Sequence, residues 1–402
     1  MKLNELNELI NEGALKKHRS CVLFFDNLSP SIGLIKSLIK KNYYIQSVEI
    51  PTDYLNIDDL TTPIEMLANH IDDLGVLFVV NEKMKFYHFK DPKEINTFFR
   101  ILKWNKEPLD KIKKKFDKNK VKNFSFIQLS DLHFGTEDAV NNIETLKKSL
   151  EDRVHNLDEV QFLITGDLVN EAKEEYVAES DDFKAYLVKL SRNSVYFVYG
   201  NHDVGGGIFG GVTLSKKNRK LVELMGSFPD IRVIENKKII LILLNSVAGE
   251  ILAKGEIGKR QFTALEKSYK TISESINNID DYTKIVLLHH HIIPITKPEE
   301  YKKSWKDKVQ GDSTMRLVDA EMMIKWINDH HVDFVLHGHK HIPFIKEEEN
   351  YNIISCGASL GQDSPYLNYN VISINKPKST CLQYLVKGKK YTELNIYRLN
   401  NK

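Results

Sequence analysis

Five short segments of this chain set carboxylate, imidazole and amide groups at or just past an apolar run: Ser130-Asp131-Leu132-His133, Gly166-Asp167, Gly200-Asn201-His202-Asp203, His289-His290-His291 and Gly338-His339-Lys340-His341. The runs are Phe124 to Leu129, Val160 to Thr165, Val195 to Tyr199, Ile285 to Leu288 and Phe334 to Leu336. They are too short for independent helices, and most are rich in β-branched or aromatic residues, which reads as buried strand. Between them, residues 142–154, 181–190 and 319–328 repeat apolar side chains at three and four positions, the spacing of amphipathic helices. Strand and helix thus alternate, which predicts a mostly parallel or mixed sheet with helices on its faces. Loops leaving the strands of such a sheet converge at their carboxyl ends. Residues as distant in sequence as Asp131 and His341 are therefore expected to meet.

The ligand types narrow the chemistry. Carboxylate, imidazole and amide oxygen without thiolate suit Mn, Fe, Zn, Co or Ni better than a structural zinc site, and the imidazoles argue against Mg or Ca alone. Seven or eight candidate ligands exceed the three or four that one catalytic ion takes. Two ions about 3.5–4 Å apart, sharing a carboxylate, match that number. Asp167, alone in its segment, is the natural bridge.

In order and spacing the five segments resemble the calcineurin-like metallophosphoesterase family, over roughly residues 122 to 375. The resemblance implies an α/β fold with a β-sandwich core flanked by helices (αββα), and two divalent or trivalent transition-metal ions, Mn, Fe or Zn. By the family pattern Asp131, His133, Asp167 and His341 hold one ion, while Asp167, Asn201, His289 and His339 hold the other. His202 matches the family histidine that contacts the reacting phosphate or leaving group, and Asp203 is expected to orient its imidazole. Within the histidine run, His289 ends the apolar stretch and is assigned as the ligand, with His290 as the substitute. An activated water would attack phosphorus in line.

Other features carry less. His18, His70, His88, His155, His330 and His331 read as hydrogen-bonded residues without a role, and His337 as a strand end. Gly205-Gly206-Gly207-Ile208-Phe209-Gly210 spells a dinucleotide-binding loop, but it has no strand before it and no clear helix after it. A glycine loop suited to a substrate lid is expected instead. Gly357-Ala358-Ser359-Leu360-Gly361 spells a nucleophile elbow, yet no histidine follows His341 to complete a triad in that order. A turn at the sheet edge accounts for it.

At 402 residues, 42% hydrophobic and 28% charged, the chain has ordinary globular composition and more length than one core usually supports. We expect an N-terminal α/β domain over residues 1–118 and the metallophosphoesterase domain over 119–402. In the first, Cys21 to Phe25, Tyr43 to Ile50 and Gly75 to Val80 read as strands, and Ile32 to Ile39 and Glu94 to Leu102 as helices. Leu3, Leu6 and Ile10 would stripe a leading helix, and Pro108 with the Lys-rich residues 111–122 marks the boundary. Asp26 gives the domain a receiver-like first strand, but the strand that should deliver a phosphoacceptor ends at Asn81. Gating, regulation, or contact with a protein partner or second copy is expected of it. No apolar run reaches the roughly 18 residues of a membrane span, and the polar start at Met1-Lys2-Leu3-Asn4 does not read as a signal peptide. Three scattered cysteines, Cys21, Cys356 and Cys381, make no disulfide framework. A cytoplasmic protein without membrane contact is expected.

Net charge is only +2, too little for strong nonspecific nucleic-acid affinity, and Lys111 to Lys122 and Lys216 to Lys220 read as solvated surface. The histidine run and the Gly-His-Lys-His segment resemble the branch of the family that contains cyclic-nucleotide phosphodiesterases. A small phosphodiester is therefore the expected substrate. A DNA or RNA nuclease of the same family is the second reading. A protein of another class, keeping the metal site for ligand recognition or scaffolding without turnover, is the third.

Overall fold

A computed structural model of the chain describes residues 5, 20–25, 44–48, 54–57, 75–80, 83–88, 124–157, 159–204, 228–247, 254–295, 316–374, 378–387 and 391–400. They fall into two compact units, Met1–Lys122 with Tyr391–Ile396, and Asn123–Lys390 with Tyr397–Lys402. The first unit contains β1 (Ser20–Phe25), β2 (Tyr44–Val48), β3 (Tyr54–Ile57), β4 (Gly75–Val80) and β5 (Lys83–His88). Four of these form a mixed sheet in the order β2-β1-β4-β5, with β1 and β2 parallel and β4 antiparallel to both its neighbours. The Asn56 side chain donates to Glu393 Oε1 at 2.6 Å and Asn395 Oδ1 at 2.8 Å, joining 391–396 to this unit. The helices expected at 32–39 and 94–102, the stripe of Leu3, Leu6 and Ile10, the Lys-rich stretches 111–122 and 216–220, and the glycine loop 205–210 lie outside the described residues.

The second unit begins with β6 (Phe124–Leu129), α1 (Glu137–Asn156), β7 (Glu159–Thr165), α2 (Glu174–Ser191) and β8 (Val195–Val198). It continues with β9 (Asp230–Ile234), β10 (Ile239–Leu243), α3 (Lys259–Ser275), β11 (Thr283–Leu287), α4 (Ala320–Asp329) and β12 (Phe334–His337). The remaining strands are β13 (Phe344–Glu347), β14 (Asn352–Ser355), β15 (Leu367–Ser373), β16 (Lys378–Lys387) and β17 (Tyr391–Asn400), of which Tyr391–Ile396 belongs to the first unit. Within this unit one sheet has the order β16-β15-β6-β7-β8, parallel from β6 to β8, and the other runs β13-β14-β12-β11-β10-β9, parallel from β14 to β10.

Period-two alternation decides the layering. Ile239, Leu241 and Leu243 of β10, Ile285 and Leu287 of β11, and Phe334 and Leu336 of β12 share one core with Phe124, Phe126, Leu163 and Val198 of the opposing sheet. The intervening Ile240, Ile242, Val286 and Val335 face Phe262 and Leu265 of α3 and Met323 and Ile327 of α4. On the other flank α2 lies against β7 and β8 and α1 against α2. The result is the αββα sandwich. Strands covered on both faces carry unbroken apolar runs, and each buried Leu, Ile or Phe stabilises by about 1.5–3 kcal/mol.

Helices α1 and α2 begin earlier than apolar spacing predicts. Thr136 takes extended backbone at φ −95° and ψ 158°, its side chain accepts from the Ala139 amide, and Glu137 and Asp138 occupy the electropositive first turn. These polar residues start α1 five positions ahead of the expected 142. The Gly357–Gly361 segment also departs from expectation. It is no exposed edge turn: Ser359 is completely buried, for reasons that belong to the site.

Candidate metal centre

The site is built where the parallel strands of both sheets end. Beyond β6 and β7 the pairing continues through Asp131 N to Gly166 O (3.0 Å) and His133 N to Asp167 O (3.0 Å), and beyond β11 and β12 through Gly338 N to His289 O (3.2 Å). To turn out of the strands, Asp131, His133, Asp167, His339 and His341 adopt φ of 49°, 46°, 50°, 74° and 57°. Among the described residues these are five of the ten non-glycine positions with positive φ. An L-residue in this region costs about 1–2 kcal/mol, so strain is concentrated at the candidate ligands. Gly166, at φ 96°, is required twice over, since a Cβ there would run into the His289 imidazole.

The ligand atoms converge in two groups. Asp131, His133, Asp167 and His341 offer atoms within 4.8 Å of one another, and so do Asp167, His289 and His339. Asp167 belongs to both, and it does so through one oxygen: Oδ2 lies 3.7 Å from His133 Nε2 and 3.3 Å from His289 Nε2. Its Oδ1 instead accepts the His202 amide at 2.9 Å. In the first group His133 Nε2 and His341 Nε2 are 3.1 Å apart, and His341 Nε2 is 3.5 Å from Asp131 Oδ1. In the second, His289 Nε2 is 3.1 Å from both Asn201 Oδ1 and His339 Nδ1.

Backbone carbonyls settle which nitrogens face inward. His289 Nδ1 donates to Thr165 O at 2.9 Å and His341 Nδ1 to Gln362 O at 3.0 Å, leaving each Nε2 to point into the site. His289 Nε2 then faces a carboxylate oxygen, an amide oxygen and an imidazole nitrogen, an electron-rich set that favours a positive charge. Burial opposes charging His289, yet Asp167 pushes it up to about 10. Burial likewise disfavours ionised Asp131 and Asp167, but His341 for the former, and His289 and His202 for the latter, hold the carboxyls below the usual range. Burial takes His133 down to about 3, and it holds His339 well below the ordinary imidazole value, so both stay neutral donors. A field that holds a proton on His289 is one that a metal cation can occupy in its place. The residues present therefore fit two transition-metal ions.

Every sequence-assigned ligand reaches the site: Asp131, His133, Asp167, Asn201, His289, His339 and His341. His290 belongs to neither group of converging ligand atoms, its Nδ1 lying 2.9 Å from Ser246 Oγ and its ring 4.3 Å from that of His339. His202 lies beside the first group, half-buried, its ring 4.8 Å from that of His133. The expectation that Asp203 orients His202 is corrected. His202 Nδ1 donates to Asn170 O at 2.8 Å, whereas the two oxygens of buried Asp203 accept from Val169 N (3.0 Å) and Gly200 N (2.8 Å). Asp203 binds the Asp167 turn to the Asn201 turn. Sequence reasoning also missed Thr165, Asn170 and Gln362, which act through their carbonyls and leave no mark in residue type.

The calcineurin-like phosphoesterase family model matches residues 124–343, more than half the chain, and the chain belongs to that family. Among solved structures, a dimetal phosphatase from Danio rerio aligns with 70% of this chain and 100% of its own at a TM-score of 0.50 and 11% identity. GAP50, the anchor in the inner membrane complex of Plasmodium, aligns with 70% of this chain and 90% of its own (TM-score 0.43, 15% identity). Vacuolar protein sorting 29 from Cryptosporidium parvum aligns with 70% and 100% (TM-score 0.34, 16% identity). No curated protein matches the sequence. Family and site together define a metal-dependent phosphoesterase, a hydrolase.

Proposed function

We propose that the chain hydrolyses a small phosphodiester of the cyclic-nucleotide type, using two ions that share Asp167. The observation that carries this reading is the single oxygen, Asp167 Oδ2, facing both histidine groups while half-buried His202 lies beside His133. When bound, the ions supply Lewis acidity and an activated water. The chain's own residues do the rest. Asp131 and Asp167 stay ionised, His133 and His339 stay neutral, and the Thr165 and Gln362 carbonyls hold His289 and His341 in the ligating tautomer. His202, its Nδ1–H tied to Asn170 O, presents Nε2 to the substrate side, where a proton carried on that nitrogen can pass to a leaving oxygen.

The diester preference is what the resemblance of the histidine run and the Gly-His-Lys-His segment to the cyclic-nucleotide phosphodiesterase branch implies. The test is a substrate panel with added Mn: a generic aryl diester, aryl monoester, cyclic mononucleotides, cyclic dinucleotides, and single-stranded and duplex DNA and RNA. We expect turnover of the aryl diester and of at least one cyclic nucleotide, with weak salt dependence. Faster, steeply salt-sensitive cleavage of nucleic acid would replace this reading with a nuclease. No turnover of any ester by fully metal-loaded protein would favour a binding protein.

A further inference from the structure

The segment 356–363, between β14 and β15, lies beyond the family match yet reaches two of the three turns that carry ligands of the first group. Ser359 grips Ser130, the residue before Asp131, at two points: its amide donates to Ser130 O at 2.9 Å and its Oγ accepts from Ser130 N at 3.0 Å. Three residues on, Gln362 O receives His341 Nδ1 at 3.0 Å. The loop is itself held from two sides, by Cys356 N to His337 O at 3.0 Å and by the Asn142 side chain of α1 to Leu360 O at 2.9 Å. Among the described residues, His289 and His339 take no hydrogen bond from it; His289 is set by Thr165 and His339 by Asp131 and His289.

We propose that this loop positions one ion of the pair: Ser359 and Asn142 are positioning residues for the Asp131–His133–His341 group and not for the Asn201–His289–His339 group. The inference rests on the two-ion reading. A serine that closes both the amide and the carbonyl of one residue leaves that residue a single orientation, and Asp131 turns out of the strand directly after it at φ 49°, its own amide paired to Gly166 O at 3.0 Å. Outer partners of metal ligands commonly set affinity by about 10–100-fold.

The test measures Mn binding to the full chain by equilibrium dialysis in two backgrounds that each keep one ion, Asn201→Ala for the first group and His341→Ala for the second. Adding Ser359→Ala should weaken the remaining ion about 10–100-fold in the Asn201→Ala background and markedly less in the His341→Ala background, which it reaches only through the Asp131 oxygens that accept the His339 amide. Asn142→Ala, on the half-buried face of α1, should act in the same direction with a smaller effect, and it decides the matter if Ser359→Ala fails to fold. Equal weakening in both backgrounds, or none in either, overturns the proposal. A wild-type chain that takes up only one Mn would instead refute the two-ion reading beneath it.

Discussion

Replacing His202 by alanine separates the holding of metal from the chemistry at phosphorus. The perturbation is narrow. Its tie to the metal ligands is the backbone amide, which donates to Asp167 Oδ1 at 2.9 Å and survives in any residue but proline. The imidazole contributes its bond to Asn170 O at 2.8 Å and an edge contact with the His133 ring at 4.8 Å. Two ions should therefore still bind, within about twofold of the wild-type affinities. Positioned general-acid assistance is worth roughly 10²–10⁴-fold, which at about 1.36 kcal/mol per decade is roughly 3–5 kcal/mol of barrier. That assistance matters in proportion to how badly the leaving oxygen needs a proton. His202→Ala should thus slow an alkyl or ribose leaving group by the full amount and a nitrophenyl leaving group by less than about tenfold. The assay is steady-state kcat on a matched pair of diesters, with metal content measured on the same sample. Equal slowing of both substrates would make His202 a phosphate-positioning group. Unchanged kcat on both, with two ions present, would remove it from the mechanism.

Asp167→Asn weakens the negative charge at the one oxygen both groups share, so elemental analysis should find both ions depleted; two full equivalents would refute the shared role. Asn201→Ala should empty chiefly the group of His289 and His339, leaving about one Mn per chain by dialysis. Gly166→Ala places a methyl against the His289 ring at a backbone φ of 96°, and should cost about 1–3 kcal/mol in thermal or urea denaturation while displacing His289. A metal-loaded Gly166→Ala chain of wild-type stability would show that the turn relaxes at no cost.

Much of the fold was legible because buried parallel strands have no solvent side to interrupt them. Phe124–Leu129 is read from sequence with its observed bounds, and the other four ligand-bearing strands to within a residue or two. Edge strands were not legible. β9, Asp230–Ile234, carries Asp230 and Arg232 on a half-exposed face, and β13, Phe344–Glu347, ends in exposed Lys346 and Glu347, so neither shows a hydrophobic run. Helix starts were missed where capping and charge, as at Thr136, replace apolar spacing as the signal.

The site divides along a different line. A ligand must bring a particular donor atom, so Asp131, His133, Asp167, Asn201, His289, His339 and His341 announce themselves by type. An orienting group need only supply a carbonyl or an amide, which every residue has. Asp203 is misleading in sequence because adjacency along the chain is not adjacency of side chains, and consecutive residues in a turn aim apart: His202 finds Asn170, and Asp203 finds the amides of Gly200 and Val169. Ser359 lies 229 positions from the amide it caps, and its motif spelled a different chemistry altogether. The family match stops at 343, but the hydrogen bonds that aim Asp131 and His341 run on to 362. Variants chosen from motifs alone would alter what binds the ions and leave untouched the backbone frame that sets how tightly each is held.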